Sequence, residues 1–290
     1  NALSDMKTVQ KLNYLEELID EEYLDEKDES SLREGLYAGL LSGLQDPYST
    51  YYTAEQYKEL NTSNEGSYVG IGAVLQKDND GGATVVQLYE GGPGEQAGLK
   101  TGDVIKAIDG TDVTEKETSD IASMVRDSEK DSVTLTIQRE NEEKTQDIKV
   151  EIRDVEIKTV SHEMLSGDTG YIRISEFSEV TSDQYKKAFA DLKSQGMKKL
   201  VVDLRDNPGG LLNTVCDILR QILPEGLIVY TEDKNGKREE ETCDGKNELD
   251  IPLAVLVNGN SASASEIFAG AVKDYGIGTI VGTTTYGKGV

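Results

Sequence analysis

The 290-residue chain has no tryptophan, one histidine, two cysteines and no long apolar run. The single histidine, His162, excludes metal sites built from several histidines and makes any serine–histidine triad depend on that residue. Cys216 and Cys243 lack C-x-x-C spacing and predict no metal site, although a single disulfide bridge between them stays open. Because no run reaches 18 apolar residues, the sequence predicts no membrane-spanning helix.

Positive charge is also scarce. The chain has 30 Lys and Arg against 55 Asp and Glu, a net charge of −25. This balance argues against nucleic acid or anionic lipid as a partner and indicates a well-solvated acidic surface. The sequence starts at Asn1 without a methionine and stops at Val290 within a pattern, so we expect an export or anchor segment and the last part of the core to lie outside it.

Residues 1–66 are predicted to form a helical region. Residues 5–45 have helical periodicity: a first apolar stripe comprises Val9, Leu12, Leu15, Leu18 and Ile19, and a second amphipathic stretch starts from a serine cap at Ser30 or Ser31. Two helices are too few to bury both apolar stripes. The stripes therefore pack either on the rest of the chain or against a second copy as a dimer arm, and the sequence leaves both readings open.

Residues 67–154 are predicted to form a small β-rich domain. The glycines in Y-V-G-I-G-A, at Gly70 and Gly72, leave backbone N–H groups before a strand, where they can hold a carboxylate while the strand edge accepts a peptide. A second motif, G-G-P-G-E-Q-A-G-L-K-T-G-D-V-I-K-A-I-D-G, predicts a helical turn, a strand and a tight turn. One short helix is predicted at 118–126. The predicted strands are Ala73–Gln76, Ala83–Leu88, Asp103–Ile108, Val133–Gln138 and Thr145–Ile152.

Residues 155–290 alternate between strand and helix patterns, which predicts an α/β core with a mostly parallel sheet. Two glycine- and asparagine-rich turns, D-N-P-G-G and N-G-N-S-A-S, follow buried strands of this region. Ligands bind at such carboxyl ends of strands in open sheets. These two turns are therefore the predicted site.

Three serines, Ser261, Ser263 and Ser265, alternate with alanines in the second turn. A serine becomes a nucleophile only when a base takes its proton. His162 lies in a polar stretch near a predicted domain boundary, which favours a solvated surface position. Lys288, in T-Y-G-K-G after the following strand, is a better candidate, because a desolvated lysine can act as a general base.

Three motifs, V-D-L-R-x-N-P-G-G, N-x-x-S-A-S-A-S-E-I-F-A-G-A and G-x-x-T-Y-G-K-G, resemble the carboxy-terminal processing (tail-specific) serine peptidases. The β-rich domain likewise resembles a circularly permuted PDZ domain. The resemblance runs from about Leu41 to the last residue. It implies a multidomain α+β protein: an α/β protease core of the crotonase/Clp type, a PDZ-like domain inserted in it or preceding it, and the N-terminal helices.

The resemblance also implies roles for individual residues. Ser263 corresponds to the nucleophile and Lys288 to the general base, while the N–H groups of Gly209 and Ala264 correspond to the oxyanion hole. Ser261 and Ser265 remain turn and helix-capping hydroxyls, and Glu266 adds favourable charge to the helix start. The PDZ-like loop would offer amides to a peptide carboxylate from Gly70, Ile71, Gly72 and Ala73. A glutamine that orients the lysine in relatives would fall at position 292, and Asp206 replaces a residue that is often neutral.

These features predict a serine endopeptidase with a Ser–Lys dyad that cuts proteins near their C-termini. The implied partners are substrate tails, with a homodimer through the N-terminal helices and an adaptor protein as further expectations, and no cofactor or metal is expected. The implied location is extracytoplasmic, with membrane anchoring outside this sequence. Two alternatives stay open: an inert peptide-binding scaffold, and an acyl-CoA enzyme of the crotonase type, in which the PDZ-like domain and Lys288 would have no role.

Overall fold

The computed structural model describes residues 4–140, 142 and 144–289. The chain divides into two compact units, Asn1–Glu59 and Leu60–Val290. Three helices come first: α1 Met6–Glu22, α2 Glu29–Ser42 and α3 Ala54–Glu65. None of the three contains a buried residue. No helix among the described residues has both the length and the apolar composition needed to cross a membrane.

The two predicted helices of the first unit are present, but their apolar stripes are not covered within it. The stripe of α1 is 37% to 44% exposed at Val9, Leu12, Leu15 and Leu18. Asp28, rather than a serine, caps α2, because its carboxylate accepts the Ser30 N–H at 2.9 Å. The unit therefore presents an apolar surface that a partner could cover.

The predicted β-rich domain is a sheet with one flanking helix, α5 (Thr118–Arg126), and a short helix, α4 (Pro93–Gln96). All five predicted strands and the predicted helix are confirmed, because alternating apolar residues such as Val133, Leu135 and Ile137 point into one core. The strands are β2 Ala73–Lys77, β3 Ala83–Leu88, β4 Val104–Ile108, β5 Thr111–Asp112, β6 Ser132–Gln138 and β7 Gln146–Glu151, with sheet order β2-β3-β4-β6-β7 and β5 beside β4.

A two-stranded ribbon joins this domain to the rest of the second unit. Strand β1 (Ser67–Gly70) enters the domain and β8 (Arg153–Glu156) leaves it, and the two pair antiparallel from Ser67↔Glu156 to Gly70↔Arg153. The sequence did not predict this ribbon. It makes the β-rich domain an insertion between α3 and the α/β core.

The α/β core is a five-stranded sheet in the order β15-β14-β11-β10-β9. Neighbouring strands are parallel except for the β10–β9 pair, as the alternating pattern predicted. Buried β-branched strand residues pack against the helices, and Ile172, Val202, Val255 and Phe268 are fully inaccessible. The elements are β9 Val160–Leu165, β10 Thr169–Ile174, α6 Thr181–Ser194, β11 Lys199–Asp203, α7 Leu212–Leu219, a separate hairpin of β12 Gly226–Glu232 and β13 Arg238–Cys243, β14 Leu253–Val257, α8 Ala264–Asp274 and β15 Gly278–Gly282.

Candidate active site

The two predicted turns meet at one edge of the core sheet. Strands β11 and β14 are parallel neighbours, so the loops that follow them leave at the same edge. Leu204 N–H, at the start of the first loop, donates to Leu256 O of the neighbouring strand at 2.9 Å, and Ala262 N–H of the second loop donates to Asn207 O of the first at 3.1 Å. This edge is the place where the sequence predicted the site.

Ser263 occupies a strained backbone conformation between β14 and α8. Its φ of 54° and ψ of −113° lie outside the regions open to most L-residues. A non-glycine residue held in such a conformation costs about 1–3 kcal/mol, and such residues cluster at functional sites. In α/β-hydrolases a sharp strand-to-helix turn presents the nucleophilic serine. Ser263 is half-buried.

The flanking serines are fully buried and hydrogen-bonded to the backbone. Ser261 Oγ donates to Leu204 O at 2.7 Å and accepts from Asn258 N–H at 2.9 Å, which confirms a turn hydroxyl. Ser265 Oγ donates to Asn207 O at 3.0 Å. The prediction of a helix cap for Ser265 was therefore wrong, because its hydroxyl ties α8 to the neighbouring loop. Of the three serines, Ser263 is the one that is not fully buried.

Gly209 lies directly against the Ser263 turn. A Cβ built on Gly209 would fall 2.8 Å from Ser263 Cβ and 2.7 Å from Ala262 O, and its φ of +107° suits only glycine. The structure thus brings Gly209, Ser263 and Ala264 together. Among the described residues the Ala264 N–H donates no hydrogen bond, whereas the Gly209 N–H donates to Asn207 Oδ1 at 2.8 Å.

Asp206 links the two loops through their side chains. Its Oδ1 accepts the amide groups of Asn258 and Asn260, each at 2.9 Å, while its own N–H donates to Asn258 Oδ1 at 3.0 Å. Hydrogen bonds from Asn260 and then Asn258 lower the pKa of Asp206 below its ordinary value. The residue that the sequence left without a role therefore holds the first turn against the second.

Lys288 follows β15, the parallel neighbour of β14, so the lysine segment leaves the sheet at the same edge as the serine turn. The backbone joins them where Tyr286 N–H donates to Ser261 O at 3.0 Å. Lys288 itself is half-buried. Its N–H and the N–H of Ser263 both donate to the Glu266 carboxylate, at 2.9 and 2.8 Å.

The predicted carboxylate loop lies at the edge of the β-rich domain. Gly72 has a φ of +71°, and the carbonyl groups of Ile71 and Gly72 accept hydrogen bonds from Gly94 and Tyr89. In the part of the chain that the structure describes, the N–H groups of Ile71 and Gly72 donate to no acceptor. The loop leads through Ala73 into β2, an edge strand next to α5. This is the arrangement needed to add a peptide strand and hold its terminal carboxylate.

The remaining polar candidates lie elsewhere. His162 is on β9, the far edge of the core sheet, where its Nε2 is 2.8 Å from Asp191 Oδ2. Cys216 and Cys243 are both free and buried, which overturns the bridge that the sequence left open; burial raises the pKa of the Cys216 thiol to about 11. Within the described ranges no group of three or more His, Cys, Asp or Glu is placed to hold a metal ion.

Comparison with known proteins matches each part of the chain to a family model. Residues 168–290 match peptidase family S41, residues 84–139 match the PDZ domain, and residues 1–56 match the N-terminal domain of the activating protease CtpB.

Whole-chain relatives agree with these domain matches. A probable CtpA-like serine protease of Staphylococcus aureus (strain COL) is 36% identical over 99% of this chain and 58% of its own length. The Staphylococcus epidermidis counterpart is 34% identical, over 97% and 57%. The chain thus spans a little over half the length of these relatives. The solved photosystem II D1 C-terminal processing protease is 28% identical with a TM-score of 0.50, covering 99% of this chain and 77% of that one. The chain accordingly belongs to the carboxy-terminal processing serine peptidases of family S41 that carry a PDZ domain.

Proposed function

We propose that this chain carries the catalytic and tail-binding machinery of a serine endopeptidase that cleaves protein substrates near their C-termini. Ser263 is the nucleophile and Lys288 the general base. The strained, half-buried Ser263 turn carries this proposal, because strain is retained where the surrounding structure holds a reacting group in place. Family membership supports it.

The reaction follows the acyl-enzyme course. As the general base, Lys288 Nζ takes the proton of Ser263 Oγ while the oxygen attacks the scissile carbonyl carbon. The resulting oxyanion accepts hydrogen bonds from Ala264 N–H and Gly209 N–H. Collapse of this tetrahedral intermediate expels the amine half of the substrate, which takes the proton from Lys288. Water, deprotonated by the same lysine, then attacks the acyl carbon, the bond to Ser263 Oγ breaks, and Lys288 returns the proton to that oxygen as the acid product leaves.

The Gly209 amide sets a condition on this course. Its N–H donates to Asn207 Oδ1 at 2.8 Å. This hydrogen bond must break before the Gly209 N–H can donate to the oxyanion. The Ala264 N–H, at the start of α8, needs no such exchange and also gains from the helix dipole. We therefore assign Ala264 as the first donor and Gly209 as a donor recruited with substrate.

The PDZ domain binds the substrate tail and gates access to the site. Amides of Gly70, Ile71, Gly72 and Ala73 hold the terminal carboxylate, and the tail extends along β2. We further propose that the full-length protein acts outside the cytoplasm, anchored to the membrane, and that an adaptor presents substrates. The exposed stripe of α1 supports a homodimer through the N-terminal helices.

The test is cleavage of an unstructured peptide by the full-length protein, with products mapped by mass spectrometry. We expect Ser263→Ala to abolish cleavage and Lys288→Ala to slow it roughly 10³-fold or more. An amidated version of the peptide should be cut more slowly than the free acid. Lys273→Ala, which removes an exposed lysine from the last turn of α8, is the matched control and should leave the rate unchanged.

Undiminished cleavage by Ser263→Ala would refute the dyad. Peptide binding without turnover in the unsubstituted protein would favour the inert scaffold instead.

A further inference from the structure

The Glu266 carboxylate makes four hydrogen bonds in the first turn of α8. Oε2 accepts the N–H groups of Ser263 at 2.8 Å and Lys288 at 2.9 Å. Oε1 accepts the Thr285 hydroxyl at 2.8 Å and the Gly287 N–H at 2.6 Å. A carboxylate has about four acceptor positions, so this one is fully used.

Three of these four bonds are made to residues outside helix α8 and its N-terminal cap. The bond to Ser263 is half of an N-terminal capping box, but the other three reach a segment 19 to 22 residues farther along the chain. Hydrogen bonds to an ionised acceptor are shorter and stronger than neutral ones. Glu266 thus connects the turn that carries the proposed nucleophile to the segment that carries the proposed base.

The segment needs such a connection because it lies largely outside the core. Residues 281–284 are exposed, as are Tyr286 and Gly287. Two further backbone bonds of the segment run from Thr283 N–H to Val257 O at 3.3 Å and from Tyr286 N–H to Ser261 O at 3.0 Å. Neither bond fixes the peptide that carries Lys288, whereas the bonds from Gly287 and Lys288 to Glu266 do.

The ionisation of Glu266 is consistent with this role. Partial burial opposes the charged form, but hydrogen bonds from Gly287, Thr285, Ser263 and Lys288 outweigh it and lower the pKa of the carboxyl below its ordinary value. The carboxylate is therefore ionised at neutral pH and accepts at both oxygens.

We propose that Glu266 is a positioning residue, which fixes the backbone of Lys288 relative to Ser263 and so keeps the base within reach of the nucleophile. This inference rests on the proposed Ser263–Lys288 chemistry. Glu266 has no part in bond making, and its effect passes through the lysine segment.

Glu266→Gln tests the proposal with little change in size. The amide end of glutamine donates, so it cannot accept the two donors that meet one of the carboxylate oxygens. We expect kcat to fall roughly 100-fold, the loss that a misplacement of about 1 Å can cause. KM and PDZ-peptide affinity should stay within about twofold. Glu248→Gln, exposed in the loop that enters β14 at its opposite end, removes the same charge and should leave kcat unchanged.

Thr285 supplies an independent variant. Thr285→Val removes one hydroxyl bond and keeps the side-chain shape, so kcat should fall about tenfold, while Thr285→Ser should restore it. Because both residues act through the same contact, Thr285→Val should lower kcat much less when Glu266→Gln is already present than it does in the otherwise unsubstituted protein. Labelling of Ser263 by an organophosphonate should slow in parallel with kcat.

The outcomes separate the two proposals. If Ser263→Ala still cleaves peptide, the proposed function fails and the positioning role fails with it. If Ser263→Ala is inactive while Glu266→Gln matches Glu248→Gln, only the positioning role fails. Should Glu266→Gln not fold, the threonine variants decide, and a Thr285→Val enzyme with unchanged kcat would overturn the role.

Discussion

At the scale of single residues, Gly209 shows how closely the two turns approach. A side chain there would meet Ala262 O, Ser263 Cβ and the Ala264 nitrogen at 3.0 Å or less. We predict that Gly209→Ala reduces kcat/KM at least 100-fold, since the added methyl displaces the serine turn. It should also destabilise the fold by about 1–3 kcal/mol, because the backbone of an alanine is strained at a φ of +107°. Peptide cleavage and urea denaturation measure the two effects.

Gly270 is the matched control for this prediction. It lies inside α8 with helical geometry, and an added Cβ would have no heavy atom within 4 Å. Gly270→Ala should therefore leave cleavage unchanged and stabilise the fold by about 0.5–1 kcal/mol. Equal activity of the two alanine variants would contradict the proposed crowding at Gly209.

The residue scale also shows what the sequence can and cannot reveal. The alternating serines, D-N-P-G-G and the lysine motif predicted that the segments carrying Ser263, Gly209 and Lys288 lie at one edge of the core sheet. The bonds that hold them there were missed, because Asp206 contacts Asn258 and Asn260 only across two loops about fifty residues apart. The one available signal was a carboxylate at the start of a turn, and that signal is common in turns of every kind.

At the scale of elements, a buried ion pair joins two strands of the β-rich domain. Asp103, 1% exposed, precedes β4, and Arg139 follows β6 and binds both its oxygens at 2.7 Å. Burial acts to raise the pKa of Asp103, but the Arg139 and Lys100 hydrogen bonds more than offset it and lower the pKa. A carboxyl with a lowered pKa stabilises the fold above its ordinary pKa and loses that contribution as the pH falls through the folded value.

We predict that Asp103→Asn destabilises this domain by about 3 kcal/mol at pH 7, because Arg139 is left without its partner. The difference from the unsubstituted protein should shrink as the pH falls below about 4. Hydrogen exchange of the β4 and β6 amides measures this loss of stability. Asp131→Asn, at an exposed position, is the control and should show no such difference at any pH. If the Asp103→Asn variant remained less stable than the unsubstituted protein in acid, the Asp103–Arg139 ion pair would not be the cause.

The predictability of the elements depended on their burial pattern. Alternating apolar residues predicted the PDZ strands, because each strand has one face on the core. The hairpin of β12 and β13 was missed, since Arg238–Cys243 is mostly charged and exposed and shows no such alternation. The β1–β8 ribbon was missed for a different reason: its two strands pair across more than eighty residues, a contact without a local signal.

At the scale of the whole molecule, helix α1 determines the expected assembly. Its stripe is exposed within its own unit, and burying such a surface stabilises a dimer. We predict that Leu15→Glu converts a dimer of the full-length protein to a monomer, as measured by light scattering. Gln10→Glu, which adds the same charge on the opposite face of α1, should leave the dimer intact. A monomeric unsubstituted protein would rule out the arm.

The ribbon that connects the PDZ domain has a consequence for how this architecture can arise and be rebuilt. The strand that enters the domain, β1, and the strand that leaves it, β8, lie side by side, with Gly70 paired to Arg153. A tight two-residue turn could therefore close the gap between the strands after excision of everything between them. The PDZ domain can therefore be removed or exchanged at this ribbon without a break in the strands and helices of the α/β core.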